Sequence, residues 1–560
     1  MRVGTTWRGR GAILVGCAFA MALPARAAAD VTLTVTSTAE TSPTDCTLPD
    51  AITAANQNQD ANGCHAPSLG VYGNETINIT ATGTLNLTSP MSQITSTVDI
   101  NGPGAGQFDI HRQSGGDYRT LSILGAGNAQ LSGVTVSNGR ITDSTLSGAG
   151  ISNVGTLVLE DSVVRDNQIL VSESGFNPAP GGGGVFNGGS MTVRRSTITN
   201  NLVSSFQTAP SGPNLADATG AGIYNNGNLL IERSTIDNNS VFAQVASDEP
   251  SAGSLAAGGG IVNHGPNATV AMSTISNNHT TATSPGAASE TTRGGGVYNL
   301  GTITLQGDTI AFNTAESSTA LSAQGTETVT SSILYGGADP NCDGSVNTNG
   351  GFNLEAGSTC PGLETALHSD PQLQALTDNG GPTRTHALGV SSPALDAGTS
   401  GGYFTDQRGA GFDRPFDFPA IANAADGSDI GALEAQDEDN DGINDDVDGC
   451  PSTAGEVAGG GCPIALGSVT IKYSKKKRRF KGAVSTPGFG CSAGRGVDLY
   501  RKQEGDDKLI RQTNSEPDST WAIDKRGKPG ARYYAMITDA FRQDVALCEE
   551  ATSPTIKIPR

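Results

Sequence analysis

The chain has 560 residues, 75 of them glycine, and only 16% of it is charged. Glycine is nearly twice its usual share, yet no G-X-Y period runs through it, which excludes collagen. The formal net charge of −21 argues against nucleic acid as the main partner, because phosphate binding needs clustered Lys and Arg.

The first residues read as a secretory signal. Arg2, Arg8 and Arg10 precede an apolar stretch from Gly11 to Leu23, and small residues follow at Ala25 to Ala29. Cleavage is expected after Ala27 or Ala29, so 1–29 is a signal peptide. An uncleaved anchor and a lipoprotein site at Leu14-Val-Gly-Cys17 compete with this reading. No other segment approaches the ~18 apolar residues of a membrane span, so none is expected in the mature chain. Eight cysteines remain after Cys17, in four local couples: Cys46 with Cys64, Cys342 with Cys360, Cys450 with Cys462, and Cys491 with Cys548. An even number in an exported chain reads as disulfides, with local pairing the simplest connectivity. Zinc competes, but no C-x₂-C spacing supports it.

Residues 30–130 are expected to hold an N-terminal cap and the first coils of the repeats that follow. Cys46-Thr-Leu-Pro-Asp-Ala-Ile-Thr-Ala-Ala-Asn56 reads as a short amphipathic helix beginning near Pro49. It resembles, in part, the CSLREA motif that opens many bacterial surface proteins.

Five blocks then repeat within 131–369. They begin at Gly148, Gly182, Gly220, Gly258 and Gly294, and the starts are 34, 38, 38 and 36 residues apart. Apolar columns recur at Ile151, Val185, Ile223, Ile261, Val297 and at Val164, Ile198, Ile236, Ile275, Ile310. Short alternating runs such as Leu157-Val-Leu159 lie between them. The spacing predicts three short strands per repeat. One such unit cannot bury its apolar face, but stacked units can. Two asparagine columns, Asn153/187/225/263/299 and Asn167/201/239/278/313, are expected to form ladders and to sit at left-handed corners. The inserts between blocks are polar and small, and read as loops projecting from one side. The pattern G-G-G-I-Y-N…S-T-I-S-N-N resembles the parallel β-helix of bacterial surface proteins. The resemblance implies one right-handed coil per repeat, in keeping with the crossover rule.

The string Asp370-Pro-Gln-Leu through Thr405-Asp-Gln-Arg-Gly409 to Asp429-Ile-Gly-Ala-Leu-Glu434 resembles the choice-of-anchor Q domain of cell-surface proteins. The closing segment is expected over 370–436. Asp378, Arg384, His386, Asp396, Asp406, Arg408 and Glu434 are the polar residues here that an acid/base site would need. Without a recognisable catalytic spacing, salt bridges and Asx turns are the preferred reading.

Over 437–463 comes the sharpest chemical motif, Asp437-Glu-Asp439-Asn-Asp441-Gly-Ile443-Asn-Asp445-Asp-Val-Asp448-Gly-Cys450-Pro451. Carboxylates fall at positions one, three, five, nine and twelve, Gly442 at the sharp turn, and the Ile443 carbonyl at seven. Hard oxygen donors so spaced suit Ca²⁺. The segment resembles the thrombospondin type 3 repeat at every position. The expected ligands are Asp437, Asp439, Asp441, Ile443, Asp445 and Asp448.

Composition changes again over 464–560. No lysine occurs before Lys472, and this last stretch holds 19 of the 34 basic residues against 11 acidic ones. Its alternating runs predict a small β-sandwich, which resembles immunoglobulin-like or carboxypeptidase-regulatory-like appended modules. The run Lys475-Lys-Lys-Arg-Arg479 reads as a solvated turn, or as a contact for anionic wall polymers.

The expectation is therefore an all-β chain: a right-handed parallel β-helix followed by a small Ig-like β-sandwich. Its expected role is a secreted or surface-displayed, adhesin-like or structural protein without catalysis. Its partners are expected among envelope or extracellular polysaccharides, or host or neighbouring surfaces. The alternative is a polysaccharide lyase or hydrolase, since β-helices host both and fold alone does not carry function. Nothing in the sequence specifies an oligomeric state.

Overall fold

The structure, a computed structural model, describes residues 31–66, 72–173, 180–207, 215–246, 253–284, 289–337, 340–418, 421–437, 443, 445–448, 450–451, 462–486, 491–538, 540–542 and 546–560. The expected signal peptide, with its competing readings, lies outside them.

The repeats form a parallel β-helix. Among the described residues its three faces are sheets of eleven, ten and eight strands. One coil shows the course. Ile151–Asn153 lies on the eight-stranded face, Thr156–Glu160 on the eleven-stranded face and Val163–Arg165 on the ten-stranded face. Each strand pairs in parallel with its equivalent one coil on: Ile151 faces Val185, Leu157 faces Met191, and Val164 faces Ile198. The apolar columns turn inward, and Ile151, Val185, Ile223, Ile261 and Val297 are all fully buried. Each such aliphatic side chain contributes about 2 kcal/mol.

The asparagine columns are hydrogen-bonded ladders. The amide of Asn153 donates to the Asn187 Oδ1 at 2.7 Å, and Asn187, Asn225 and Asn263 each donate onward in the same way. Asn299 ends this ladder on Glu327 Oε1 at 2.6 Å. The second ladder runs from Asn167 to Asn313 with 2.9 Å steps. The left-handed corner is not at the ladder residue, as expected, but one position earlier: Asp166, Asn200, Asn238, Asn277 and Phe312 have φ of 59, 56, 55, 56 and 56°. This kink frees the next side chain to point into the coil. A ladder absent from the sequence reading lies at Ser162, Ser196, Ser234 and Ser273, whose hydroxyls each accept a backbone N–H from the coil before. Asp308 and Ser332 continue it.

The inserts correct the loop reading. They form arms built of stacked strands. Five outgoing strands, Arg140–Ile141, Gln168–Glu173, Leu202–Gln207, Ser240–Val245 and His279–Thr283, make one parallel sheet. Three returning strands, Leu215–Thr219, Gly253–Ala257 and Ser289–Arg293, make another. Between them lies a separate apolar core that includes Val203, Ala216, Ala218, Val241, Ala243 and Ala256. The return strands meet the next coil at the leading glycines Gly220, Gly258 and Gly294, which have φ of 59, 62 and 52°.

The N-terminal helix spans Leu48–Gln57, with Pro49 in its first turn. Thr47 caps it, accepting from the Asp50 N–H at 3.3 Å while its hydroxyl donates to Asp50 Oδ2 at 2.7 Å. All four cysteine couples pair as disulfides in the expected local connectivity. Cys46 bonds to Cys64, so the helix lies within the loop that this disulfide closes. Cys342 bonds to Cys360 and ties the last coil, where Cys342–Gly344 is the end strand of the eight-stranded face. Cys64 and Cys360 are both buried in the solenoid core, at its two ends. Cys450 bonds to Cys462, and Cys491 bonds to Cys548. Among the described residues no helix is long and apolar enough to cross a membrane.

The described residues within 464–560 form a mainly antiparallel β unit with its own core. Arg479–Ser485 pairs with Lys472–Ser474 and Thr520–Asp524, while Gly496–Arg501 pairs with Lys508–Asn514 and Arg532–Ile537. Its core gathers Phe480, Val497, Leu499, Trp521 and Ile537, all buried.

Candidate functional site

The closing segment does not simply plug the end of the solenoid. It folds back along the ten-stranded face, from Ser331 to Arg233. Thr399 N donates to Ser331 Oγ, Ala432 N to Thr309 Oγ1, and Thr274 Oγ1 to Gln407 Oε1. Gln407 Nε2 then reaches Thr235 Oγ1 at 3.0 Å, and Arg233 Nη2 reaches Thr405 Oγ1 at 2.9 Å. Beneath it, Thr235, Asp237, Thr274, Ser276 and Thr309 are buried although they point away from the solenoid core.

The polar residues that an acid/base site would need are distributed along this seam. Arg384 Nη2 meets Asp237 Oδ2 at 2.5 Å. Burial pushes the Asp237 carboxyl up, and Arg384 opposes that shift. His386 lies between Ser276 Oγ at 2.8 Å and the Gln374 carbonyl at 2.7 Å, so both ring nitrogens are engaged. Burial holds its imidazole below the usual range. Arg384 and His386 border a hollow of ≈ 300 Å³ with Asn238, Asn277, Phe312 and Leu376. Asp237 is fully buried and His386 3% exposed, so neither presents a free acid or base to that hollow. Asp378 is exposed and caps its own turn by accepting the Gly380 N–H at 3.0 Å.

Two buried ionic knots hold the segment. In one, Arg414 stands 3.2 Å from Glu434 Oε2, both side chains fully buried. Glu434 also accepts N–H groups from Phe416 and Asp429, and Asp429 accepts from Asp396 and Ala435. One guanidinium serves several buried carboxyls here. Burial pushes Asp429 to about 7 and Asp396 to about 6. Glu434 is raised by burial and then by Asp429 beside it.

In the other, Arg408 is 1% exposed at its side chain. It holds Asp406 at 2.8 Å and Asp446 at 3.0 Å. It also donates to the Asn379 carbonyl and lies 3.8 Å over the Phe412 ring. Asp446 belongs to the acidic loop, so this knot docks that loop onto the closing segment.

Of the expected calcium ligands, Asp437, Ile443, Asp445 and Asp448 lie among the described residues, and Asp439 and Asp441 lie outside them. Asp437 and Ile443 are buried. Asp445 N donates to the Gln436 carbonyl at 2.7 Å, which brings position nine beside position one. Asp448 Oδ1 accepts the Cys450 N–H at 2.7 Å, and Cys450–Cys462 closes the segment. Among the described residues no three His, Cys, Asp or Glu are gathered closely enough to hold a metal. The donors that are placed are hard oxygens on a loop tied at its base, which fits calcium in kind.

The other carboxylates of the solenoid are mostly paired between coils. Arg195 joins Asp161 and Glu160 at 2.8 Å each, and Arg194 joins Glu232 at 2.8 Å. Asp308 is the acidic member of the buried serine ladder, its carboxyl raised by burial. Asp217, on a return strand, has its carboxyl raised by burial alone. It sits close enough to influence Tyr298, as do Arg293 and Asp343, which pair at 3.3 Å. His264 tilts against the Tyr224 ring at 5.3 Å.

Fold and seam together define a parallel β-helix with side arms, a laterally docked closing segment and a separate β unit. Comparison with protein families, with curated proteins and with solved structures found no match.

Proposed function

We propose that the protein is a non-catalytic display solenoid, secreted or held at the cell surface, adhesin-like or structural, with a calcium-stiffened junction before its last unit. In this reading the closing segment is a choice-of-anchor Q domain, the acidic loop is a thrombospondin type 3 repeat and the final unit is an immunoglobulin-like or carboxypeptidase-regulatory-like module. The observation that carries it is the seam: Asp237, Arg384, His386, Asp406, Arg408 and Glu434 already hold one another or the solenoid. Their mutual pairing, with all but Arg384 buried, supports a structural role for them. Four disulfides suit an oxidising compartment outside the cytosol.

Calcium, when bound, would supply charge neutralisation to a loop whose carboxylates repel. Asp437, Asp439, Asp441, Asp445 and Asp448 would hold it with the Ile443 carbonyl, while Asp446 stays on Arg408. Titration calorimetry of the mature chain should show Ca²⁺ binding that Asp441→Ala removes. Binding unchanged by that substitution removes the calcium part of the reading.

The second reading is a β-helix polysaccharide lyase or hydrolase. It is favoured by Asp217, a half-buried carboxyl beside Tyr298 at the foot of an arm. Incubation of the mature chain with acidic and neutral polysaccharides, with Ca²⁺ present, separates the two. Release of oligosaccharides would establish the enzyme and end the display reading.

A further inference from the structure

The ten lysines of this chain all fall at or after Lys472. In the structure they are not spread evenly over the final unit. Lys472–Ser474 and Arg479–Ser485 pair as a hairpin, with Ser474 opposite Arg479, so Lys475, Lys476, Lys477 and Arg478 form its tip. All four are exposed. Lys472 and Lys481 stand directly opposite each other at the base, a cross-strand pair of like charge that costs stability.

Two details mark the tip. Arg478 has φ of 52°, a left-handed position that Gly or Asn fills at lower cost. The Lys525 N–H donates to the Arg478 carbonyl at 3.1 Å, which brings Lys525 and Arg526, both exposed, alongside. The neighbouring carboxylate, Asp524, is already held by Arg479 through two bonds of 2.5 and 2.7 Å. Among the described residues, none of the six cations Lys475, Lys476, Lys477, Arg478, Lys525 and Arg526 forms an ion pair.

We infer that this hairpin tip and the loop beside it bind an anionic polysaccharide, and that they are the point by which the displayed solenoid is retained on such a polymer. The inference rests on the display reading for its purpose, not for its chemistry. Lysine ammonium groups are hydrated point charges, suited to a flexible chain of repeating anionic groups rather than to one forked contact. The tip offers no apolar wedge for a bilayer. Among the described residues the large exposed hydrophobics of this unit are Leu466 and Leu509, both outside the hairpin. Nor does it offer a ring on which bases could stack, since Tyr473 packs on Phe480 at 4.7 Å and its hydroxyl accepts the Gly527 N–H. The acidic remainder of the chain repels the same polymer, so contact is confined to the tip once salt screens beyond ~8 Å.

The test uses the full mature chain and immobilised heparin as a sulfated polysaccharide, with dextran as the neutral control. Retention on heparin that falls as salt rises is expected, with none on dextran. Replacing Lys475, Lys476, Lys477 and Arg478 by Ser should weaken binding by about tenfold or more, as the loss of several phosphate-like contacts does. Lys525→Ser with Arg526→Ser, outside the hairpin, should weaken it less but measurably. Replacing Lys502, Lys508, Lys557 and Arg560 by Ser removes the same charge elsewhere and should leave retention unchanged. Equal loss in that control, or no loss in the tip variant, overturns the site. Tighter binding to duplex DNA or to phosphatidylserine vesicles than to heparin overturns the ligand class. Oligosaccharide release leaves this test intact, because it would remove the display reading without touching the tip.

Discussion

At the scale of single residues, the solenoid depends on a two-residue device. A left-handed residue turns the chain, and the asparagine after it bonds to the coils on either side. Asn201 shows how closely it is held. Its amide donates to Asn239 Oδ1 at 2.9 Å and to the Val164 carbonyl at 3.1 Å, and its Oδ1 accepts from the Asn167 backbone and side chain. Asn201→Ala leaves several buried groups unsatisfied, each costing about 1–3 kcal/mol. Asn200, one residue earlier, is exposed and needs only its backbone conformation. Asn200→Gly should therefore shift stability by under about 1 kcal/mol. Chemical unfolding of the two variants checks the contrast. The columns of asparagine were plain in the sequence, but the division of labour was not. Both residues are often Asn, and sequence spacing does not say which one turns the corner.

At the scale of elements, the closing segment was legible as a motif and hidden as a contact. Its partners on the solenoid lie 68 to 173 residues away, such as Ser331 for Thr399, Thr235 for Gln407 and Ser276 for His386. No local pattern specifies such a pairing. The arms were missed for another reason. Their cores use Ala216, Ala218, Ala243 and Ala256, which resemble low-complexity loop residues. The alternation of Val241, Ala243 and Val245 was the available signal, since period two marks a half-buried strand.

The same segment should respond to pH. Asp396 and Asp429 are raised by burial to about 6 and about 7, and Glu434 is raised beside them. Arg414 pairs with Glu434, Asp417 repels Asp396, and the Asp406–Arg408 pair packs nearby. In the unfolded chain these carboxyls titrate near ~4. The folded state thus holds protons that the unfolded state releases. Its stabilisation is complete below ~4 and is lost as pH rises through about 6 to about 7. Hydrogen exchange of residues 394–435, corrected for intrinsic rate, should show greater protection at pH 5 than at pH 8. Greater protection at pH 8 refutes the assignment. Arg408 lends itself to a second test. Arg408→Met strands Asp406 and Asp446 as buried unpaired carboxylates, a cost of about 3–5 kcal/mol. Limited proteolysis should then cut near the acidic loop well before the solenoid.

At the scale of the whole molecule, the apolar residues divide into separate cores. The solenoid core, the arm core, the closing-segment core and the core of the final unit each have their own members. Stacked coils share one continuous core and should lose it together, as neighbouring repeats do. The final unit has a smaller core that includes Trp521 and Phe480, and a disulfide joins Cys491 to Cys548. A small unit of this kind depends on its disulfide for about 2–4 kcal/mol. Calorimetry should resolve a transition for the final unit apart from the solenoid transition, so a single two-state treatment fails. Cys491→Ala with Cys548→Ala should lower the first transition and leave the second in place. The solenoid transition should instead move with Asn201→Ala, which the final unit does not touch. If both transitions shift together in either variant, the two units fold as one, and the abrupt change from an acidic to a basic chain at about residue 464 does not mark a boundary of cooperativity.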